Sequence, residues 1–137
     1  MSVSVHIHDG PIVPPNEPRC QCAGAVVVFE GIVREMESGR RISGLHYQTY
    51  DPMAHRELQR LAQEIMKQFE LLDVTVAHSR GFVAVGRCSL RVAIAAMHRK
   101  PALAAMDGFI DALKRDVPIW KNPVWIADPA SAPGVQS

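Results

Sequence analysis

Residues 97–125, MHRKPALAAMDGFIDALKRDVPIWKNPVW, decide how the rest of the chain is read. The stretch opens on His98-Arg99-Lys100. Leu103, Met106, Ile110 and Leu113 then recur at steps of three and four, the apolar face of a helix that starts near Pro101. Gly108 lies inside it at a cost of about 1 kcal/mol against alanine, so close packing is expected there. Pro118 cannot continue a helix, and residues 119–126 read as a strand. Lys114 falls on the last helical turn and Lys121 lies past the proline. Cations therefore stand at both ends of one short helix, with little carboxylate nearby to neutralise them. A helix N-terminus attracts anions, and Arg99 adds a bidentate donor there. A lysine amine in a partly apolar setting becomes a nucleophile or base. Ile119 and Trp120 are expected to give Lys121 such a wall. Arg34, further upstream, is a third cationic candidate.

The flanking sequence supplies the other elements. Val3, Val5 and Ile7 alternate with Ser4, His6 and His8, the mark of a half-buried strand. Pro11, Pro14, Pro15 and Pro18 make residues 9–22 mostly loop. Residues 23–33, AGAVVVFEGIV, form an apolar run that predicts a strand covered on both faces, with a bulge at Gly31. Residues 35–41 read as a polar connection around Gly39. Residues 42–50 read as a strand. Asp51-Pro52 marks a helix start, and Leu58, Leu61, Ile65 and Phe69 give that helix one apolar face. Residues 72–78 read as a strand, Gly81 and Gly86 bracket a turn, and residues 88–97 form another strand. This order predicts an α+β fold, with two main helices covering a largely antiparallel sheet. The expected organisation is a single domain over residues 1–127 and a flexible tail over 128–137.

Composition narrows the function classes. A chain of 137 residues suits one domain. A net charge of +1, 6% aromatic residues and no basic stripe argue against nucleic acid. No apolar run reaches the roughly 18 residues of a membrane span, and the first residues lack a signal-peptide pattern. Three cysteines, an odd number, fit reduced thiols. A cytoplasmic protein is expected. His6-x-His8 with Cys20-x-Cys22 would make four metal ligands, but one residue between the cysteines is tighter than usual zinc spacing. No phosphate loop, dinucleotide fingerprint or nucleophile elbow occurs. The residues alone predict a cationic pocket and name no reaction.

At LKRDVPIWK the chain resembles the catalytic, large subunit of molybdopterin synthase, which carries a lysine, an interval and a Pro-x-Trp-Lys ending. Lys114, Pro118, Trp120 and Lys121 match. The likeness continues in GAVVVFEGIVR up to Arg34, in Tyr50 with Met53, in His78 with Gly81 and Gly86, and in His98-Arg99. It runs in order over most of the chain. It implies an α/β hammerhead with a small additional β subdomain. It implies a homodimer within a heterotetramer, each copy binding a small ubiquitin-like subunit whose C-terminal thiocarboxylate enters the pocket. Sulfur would pass to cyclic pyranopterin monophosphate and build the dithiolene of molybdopterin, with no cofactor and no metal. Lys114 resembles the essential amine and Lys121 the second active-site lysine. Arg34, His98 and Arg99 resemble the substrate's anion pocket, His98 and Arg99 serving the neighbouring subunit. Asn122 and Pro123 replace a frequent charged pair, Ile119 replaces a frequent aromatic residue, and the first 23 residues match poorly. Two alternatives are a non-catalytic relative that binds a ubiquitin-like tail and a small cytosolic metal-binding protein.

Overall fold

The computed structural model describes residues 2–15 and 21–126. The expected tail and Cys20 lie outside these residues. In chain order the elements are β1 (Ser2–Asp9), β2 (Ala25–Ile32), β3 (Met36–Glu37), β4 (Arg40–Thr49), α1 (Met53–Gln68), β5 (Asp73–Ala84), β6 (Cys88–Ala96), α2 (Arg99–Asp116) and β7 (Ile119–Trp125). The strands form one sheet along the path β2-β6-β5-β4-β3, with β1 beside β5 and β7 beside β4. The β1–β5 pair is parallel and the other pairs are antiparallel. This is the α+β fold expected, two helices on a largely antiparallel sheet.

Both helices lie side by side over β1, β5, β6 and β2. α1 buries Ala54, Leu58, Leu61, Ala62 and Ile65, at the helical spacing that put leucines on one face. α2 buries Ala102, Ala105, Met106, Phe109, Ile110 and Leu113. These meet Val5, Val74, Val76, Leu90, Val92 and Ile94 from the sheet. A second, smaller cluster of Val33, Ile42, Leu45, Tyr47 and Val83 forms between β4 and its neighbours. It corresponds to the additional β subdomain expected from the resemblance. Ile119 packs against both clusters.

Several expectations are corrected. Residues 25–32 are not covered on both faces. β2 ends the sheet path, Val28 and Ile32 are exposed, and only Val27 and Phe29 meet the core. A run of valines reads the same whether a strand is central or at an edge, so the sequence misleads there. Its bulge, however, falls between Gly31 and Ile32. The connection around Gly39 is a tight hairpin, with Ser38 and Gly39 at φ of 51° and 77°. Both central residues in the left-handed region suit a two-residue hairpin loop. Gly81 does not bracket a turn. β5 runs straight through it to Ala84, pairing Gly81 with Tyr47, and the turn belongs to Gly86 alone. Leu103 is 54% exposed, and Phe109, fully buried, takes the central place assigned to it. A β-carbon on Gly108 would meet nothing, so its helix cost has no packing compensation.

A buried polar joint connects the two clusters. The Tyr47 hydroxyl donates to Ser89 Oγ at 2.8 Å, across from β4 to β6. The Ser89 hydroxyl faces the Gly31 carbonyl at 3.5 Å, at the β2 bulge. The ring of Tyr47 meets His78 edge-on with centroids 5.3 Å apart. His78 is buried, and its Nδ1 donates to the Ser79 carbonyl at 2.8 Å. That bond fixes the neutral tautomer with the proton on Nδ1. Burial holds the His78 imidazole below its ordinary value of 6.5, and the Ser79 carbonyl opposes this in part.

Phe109→Ala lowers the unfolding free energy in guanidinium by about 3–5 kcal/mol, whereas Leu103→Ala changes it by no more than ~0.5 kcal/mol. Below pH 6.5 the unfolded chain binds a proton at position 78 that the folded chain resists. The His78 contribution is therefore complete above that pH and is lost as pH falls below it through the depressed folded value. His78→Gln flattens the denaturation midpoint over that window; an unchanged pH slope would contradict the neutral buried imidazole.

Candidate active site

Strand register and helix direction decide which cations meet. β6 runs from Cys88, opposite Ile32, to Ala96, opposite Ala25. α2 starts just after β6 and packs back over β6 and β2. Its first residues therefore sit at the Ala25–Ala96 end of the sheet and its last at the Ile32–Cys88 end. Lys114 is on the last turn. Arg34 follows β2 at that same end, where Val33 exchanges backbone hydrogen bonds with Arg87 and Gly86. Lys121 arrives there by another route. It stands opposite Tyr47 in the β4–β7 pair, and Tyr47 is tied to Ser89 beside Cys88. Arg34, Lys114 and Lys121 thus share one end of the fold.

His98 and Arg99 do not join them. Arg99 opens the helix that Lys114 closes, and at 1.5 Å per residue the two lie roughly 22 Å apart. His98 occupies the N-cap position in extended backbone but makes no side-chain capping bond. Both residues are exposed. Within one copy the chain holds two cationic groups, one at each end of α2.

Of the expected apolar wall around Lys121, Ile119 lies on the same face of β7 and packs against both clusters, while Trp120 contributes nothing. Trp120 faces Gln48 and Lys121 faces Tyr47 across the sheet, and adjacent strand residues point to opposite faces. Trp120 therefore cannot cover its neighbour and is 55% exposed. Lys121 shares its face with Tyr47. Its Nζ lies 3.6 Å from Glu37 Oε1, so a carboxylate does stand beside it. Lys114 is exposed and forms no ion pair among the described residues. Arg115 next to it is held by Asp116, and Arg40 lies 4.4 Å over the Trp125 ring, fixing the far end of β7.

Glu37, Tyr47, Ser89 and Arg87 are the neighbours that sequence reasoning missed. The Ser38-Gly39 dipeptide was the available signal for Glu37, since it marks a hairpin that returns β3 onto β4. Asn122 and Pro123, the departure from the family pattern, continue β7 opposite His46 and Leu45. Proline is tolerated because, among the described residues, β7 pairs only with β4 and lies at an edge. His6 and His8 share one face of β1, but the described residues hold no group of three or more metal-ligating side chains. No helix among the described residues is long and apolar enough to cross a membrane.

Comparison with known proteins identifies the family and the fold. Residues 13–116 match the family model described as MoaE protein. The chain is 37% identical over 109 residues to the molybdopterin synthase catalytic subunit of Thermoplasma volcanium, covering 80% of each chain. It is 40% identical over 102 residues to that of Staphylococcus carnosus, covering 74% of this chain and 68% of the relative. The solved molybdopterin synthase from Staphylococcus aureus superposes with a TM-score of 0.79 at 31% identity, covering 89% of this chain and 91% of that one. A chain from the complex of subunits 1 and 2 of molybdopterin-converting factor from Helicobacter pylori shares the fold, with a TM-score of 0.70, 23% identity and 91% coverage of both. On the family match and these identities, the chain belongs to the MoaE protein family.

Proposed function

We propose that this chain is the catalytic subunit of a molybdopterin synthase. It takes sulfur from the C-terminal thiocarboxylate of a small ubiquitin-like subunit and delivers it to cyclic pyranopterin monophosphate. In each transfer a carbon–sulfur bond forms on the pterin side and the bond from sulfur to the tail's acyl carbon breaks. Water supplies the oxygen that leaves the tail as a carboxylate. The observation that carries this reading is the placement of Lys114, Lys121 and Arg34 toward one end of the fold. Lys114, free of any ion pair among the described residues, is the amine available to the acyl carbon. Its ammonium stabilises the oxyanion that develops there, or it moves the proton. Lys121 polarises or positions the substrate from β7. Arg34 holds an anionic group of the substrate.

The separation of roughly 22 Å along α2 supports a site shared between copies. His98 and Arg99 then complete the anion pocket of a second copy's site rather than their own. The enzyme works as a homodimer, each copy with its small subunit, in the cytoplasm. The relatives' description as molybdopterin synthase catalytic subunits supports the reaction. The Helicobacter pylori complex of two subunits in the same fold supports the small-subunit partner.

Reconstitution with thiocarboxylated small subunit and cyclic pyranopterin monophosphate tests the reading. Lys114→Ala abolishes dithiolene formation while the far-ultraviolet circular dichroism stays that of the wild type. Wild-type turnover by that variant removes the proposed mechanism. Subunit mixing tests the shared site separately. Lys114→Ala and Arg99→Ala are each inactive alone, yet an equal mixture allowed to exchange subunits recovers roughly a quarter of wild-type activity, because half of the mixed dimer's sites are intact. No recovery would return His98 and Arg99 to their own copy.

A further inference from the structure

The hairpin at Ser38-Gly39 brings a carboxylate to Lys121, and the choice of partner is specific. With Ser38 and Gly39 both at positive φ, the chain reverses in two residues and lays Met36 and Glu37 against Arg41 and Arg40. Arg40, directly opposite, is the cation that register offers Glu37, and its planar fork would match a carboxylate better than an ammonium does. The two do not pair. The Arg40 guanidinium lies 4.4 Å over the Trp125 ring instead. Among the described residues, the ion pair that Glu37 makes is with Lys121, Oε1 to Nζ at 3.6 Å.

One face of β7 sets both contacts. Side chains alternate along a strand, so Lys121, Pro123 and Trp125 share a face, opposite Tyr47, Leu45 and Ile42 of β4. Trp125 holds Arg40 at one end of that face and leaves Glu37 to Lys121 further along it.

The carboxylate is the better anchored member of the pair. Glu37 is 23% exposed at the side chain against 55% for Lys121. Its hairpin is tied on both sides, by the Ile42 N–H donating to the Glu35 carbonyl at 2.9 Å and the Ile126 N–H donating to the Arg41 carbonyl at 3.0 Å. Tyr47 is fixed by its bond to Ser89. Its phenol, pushed up first by burial and held back by Ser89, also feels the Glu37 charge. Lys121, on a long flexible stem, thus has two fixed neighbours on its face. We propose that Glu37 is a positioning residue for Lys121, drawing its amine toward β3 over the face it shares with Tyr47. The catalytic meaning of this role rests on the sulfur-transfer reading above, while the positioning itself belongs to the chain alone.

Nuclear magnetic resonance relaxation of the full chain with ¹³C-labelled lysine reads the order of the Lys121 side chain. Lys114, which forms no ion pair among the described residues, is the internal control. Glu37→Gln, which keeps the shape and removes the charge, lowers the Lys121 order parameter and leaves that of Lys114 unchanged. In reconstituted sulfur transfer the same variant lowers turnover roughly fivefold, the upper end for an exposed pair. In the Lys121→Ala background Glu37→Gln has no further effect, because it acts through that amine; where that background is silent, the order parameter decides. An unchanged Lys121 order parameter overturns the proposal, as does unchanged turnover in an active enzyme or an equal loss in both backgrounds. Loosening of Lys121 in Glu37→Gln with no dithiolene formed by the wild type removes the sulfur-transfer reading and upholds the positioning.

Discussion

The seating of α2 on β6 and β2 through Phe109 is the constraint from which the rest of the molecule takes its geometry. The helix has no acidic residue in its first turn and no side-chain cap, so little in its own sequence fixes where it begins. Helices of this kind draw most of their stability from the apolar face they bury. Once that face is seated, direction and length are set, and so is the distance between the two cationic groups. A rigid rod cannot bring its own ends together. That single fact turns a sequence with cations on both sides of a helix into a molecule with two separate cationic groups. On the proposed reading, a second copy brings the two groups together.

The other end of the site depends on a polar contact. β5 spans Asp73–Ala84 and serves both clusters, pairing with β6 in its first half and β4 in its second. The register between those halves is held where Tyr47 reaches Ser89. An apolar residue at position 47 could fill the volume, but it would leave the Ser89 hydroxyl buried with only the long contact to Gly31. Burial pushes the Tyr47 phenol up from its ordinary value, and the Ser89 bond opposes that shift. The hydroxyl therefore stays protonated and remains a donor. Because Tyr47 is also the cross-strand partner of Lys121, the joint between clusters and the placement of that lysine are one feature.

Much of this was legible in the sequence, and the failures have physical causes. The two helices could be read because leucine, isoleucine and alanine spacing reports a face directly. Phe109 was passed over in favour of Leu103, since a three-four pattern admits two neighbouring stripes and only the tertiary partner chooses between them. The strand at residues 25–32 looked central because apolar content does not report whether a helix covers both sides. Gly81 looked like a turn because left-handed glycine is common there, yet here it pairs within a strand opposite a large tyrosine. Of the candidate site, the chain positions of Arg34, Lys114, Lys121, His98 and Arg99 were readable, but their division into two groups was not. It depends on the register that sets β7 against β4, which no short sequence pattern encodes. Glu37 was invisible for the same reason.

The exposure of the two lysines has a consequence for how such a site can work. Neither Lys114 nor Lys121 is enclosed by the described residues, and the Lys121–Glu37 pair spans 3.6 Å with the lysine side chain 55% exposed. Pairs of that kind contribute only about 0–1 kcal/mol, so Glu37 steadies the amine without locking it against a competing anion. An ammonium in open water stabilises a developing oxyanion weakly, because solvent screens it. The same ammonium becomes effective when water is expelled around the reacting carbon. On the proposed reading, what expels water is the chain that delivers the sulfur. Its C-terminal tail would lie over Lys114 and Lys121 and supply the cover that Trp120, turned to the opposite face of β7, does not. The low burial of the lysines is then a property of a half-built site, completed by one partner's tail above and a second copy's His98 and Arg99 from the side.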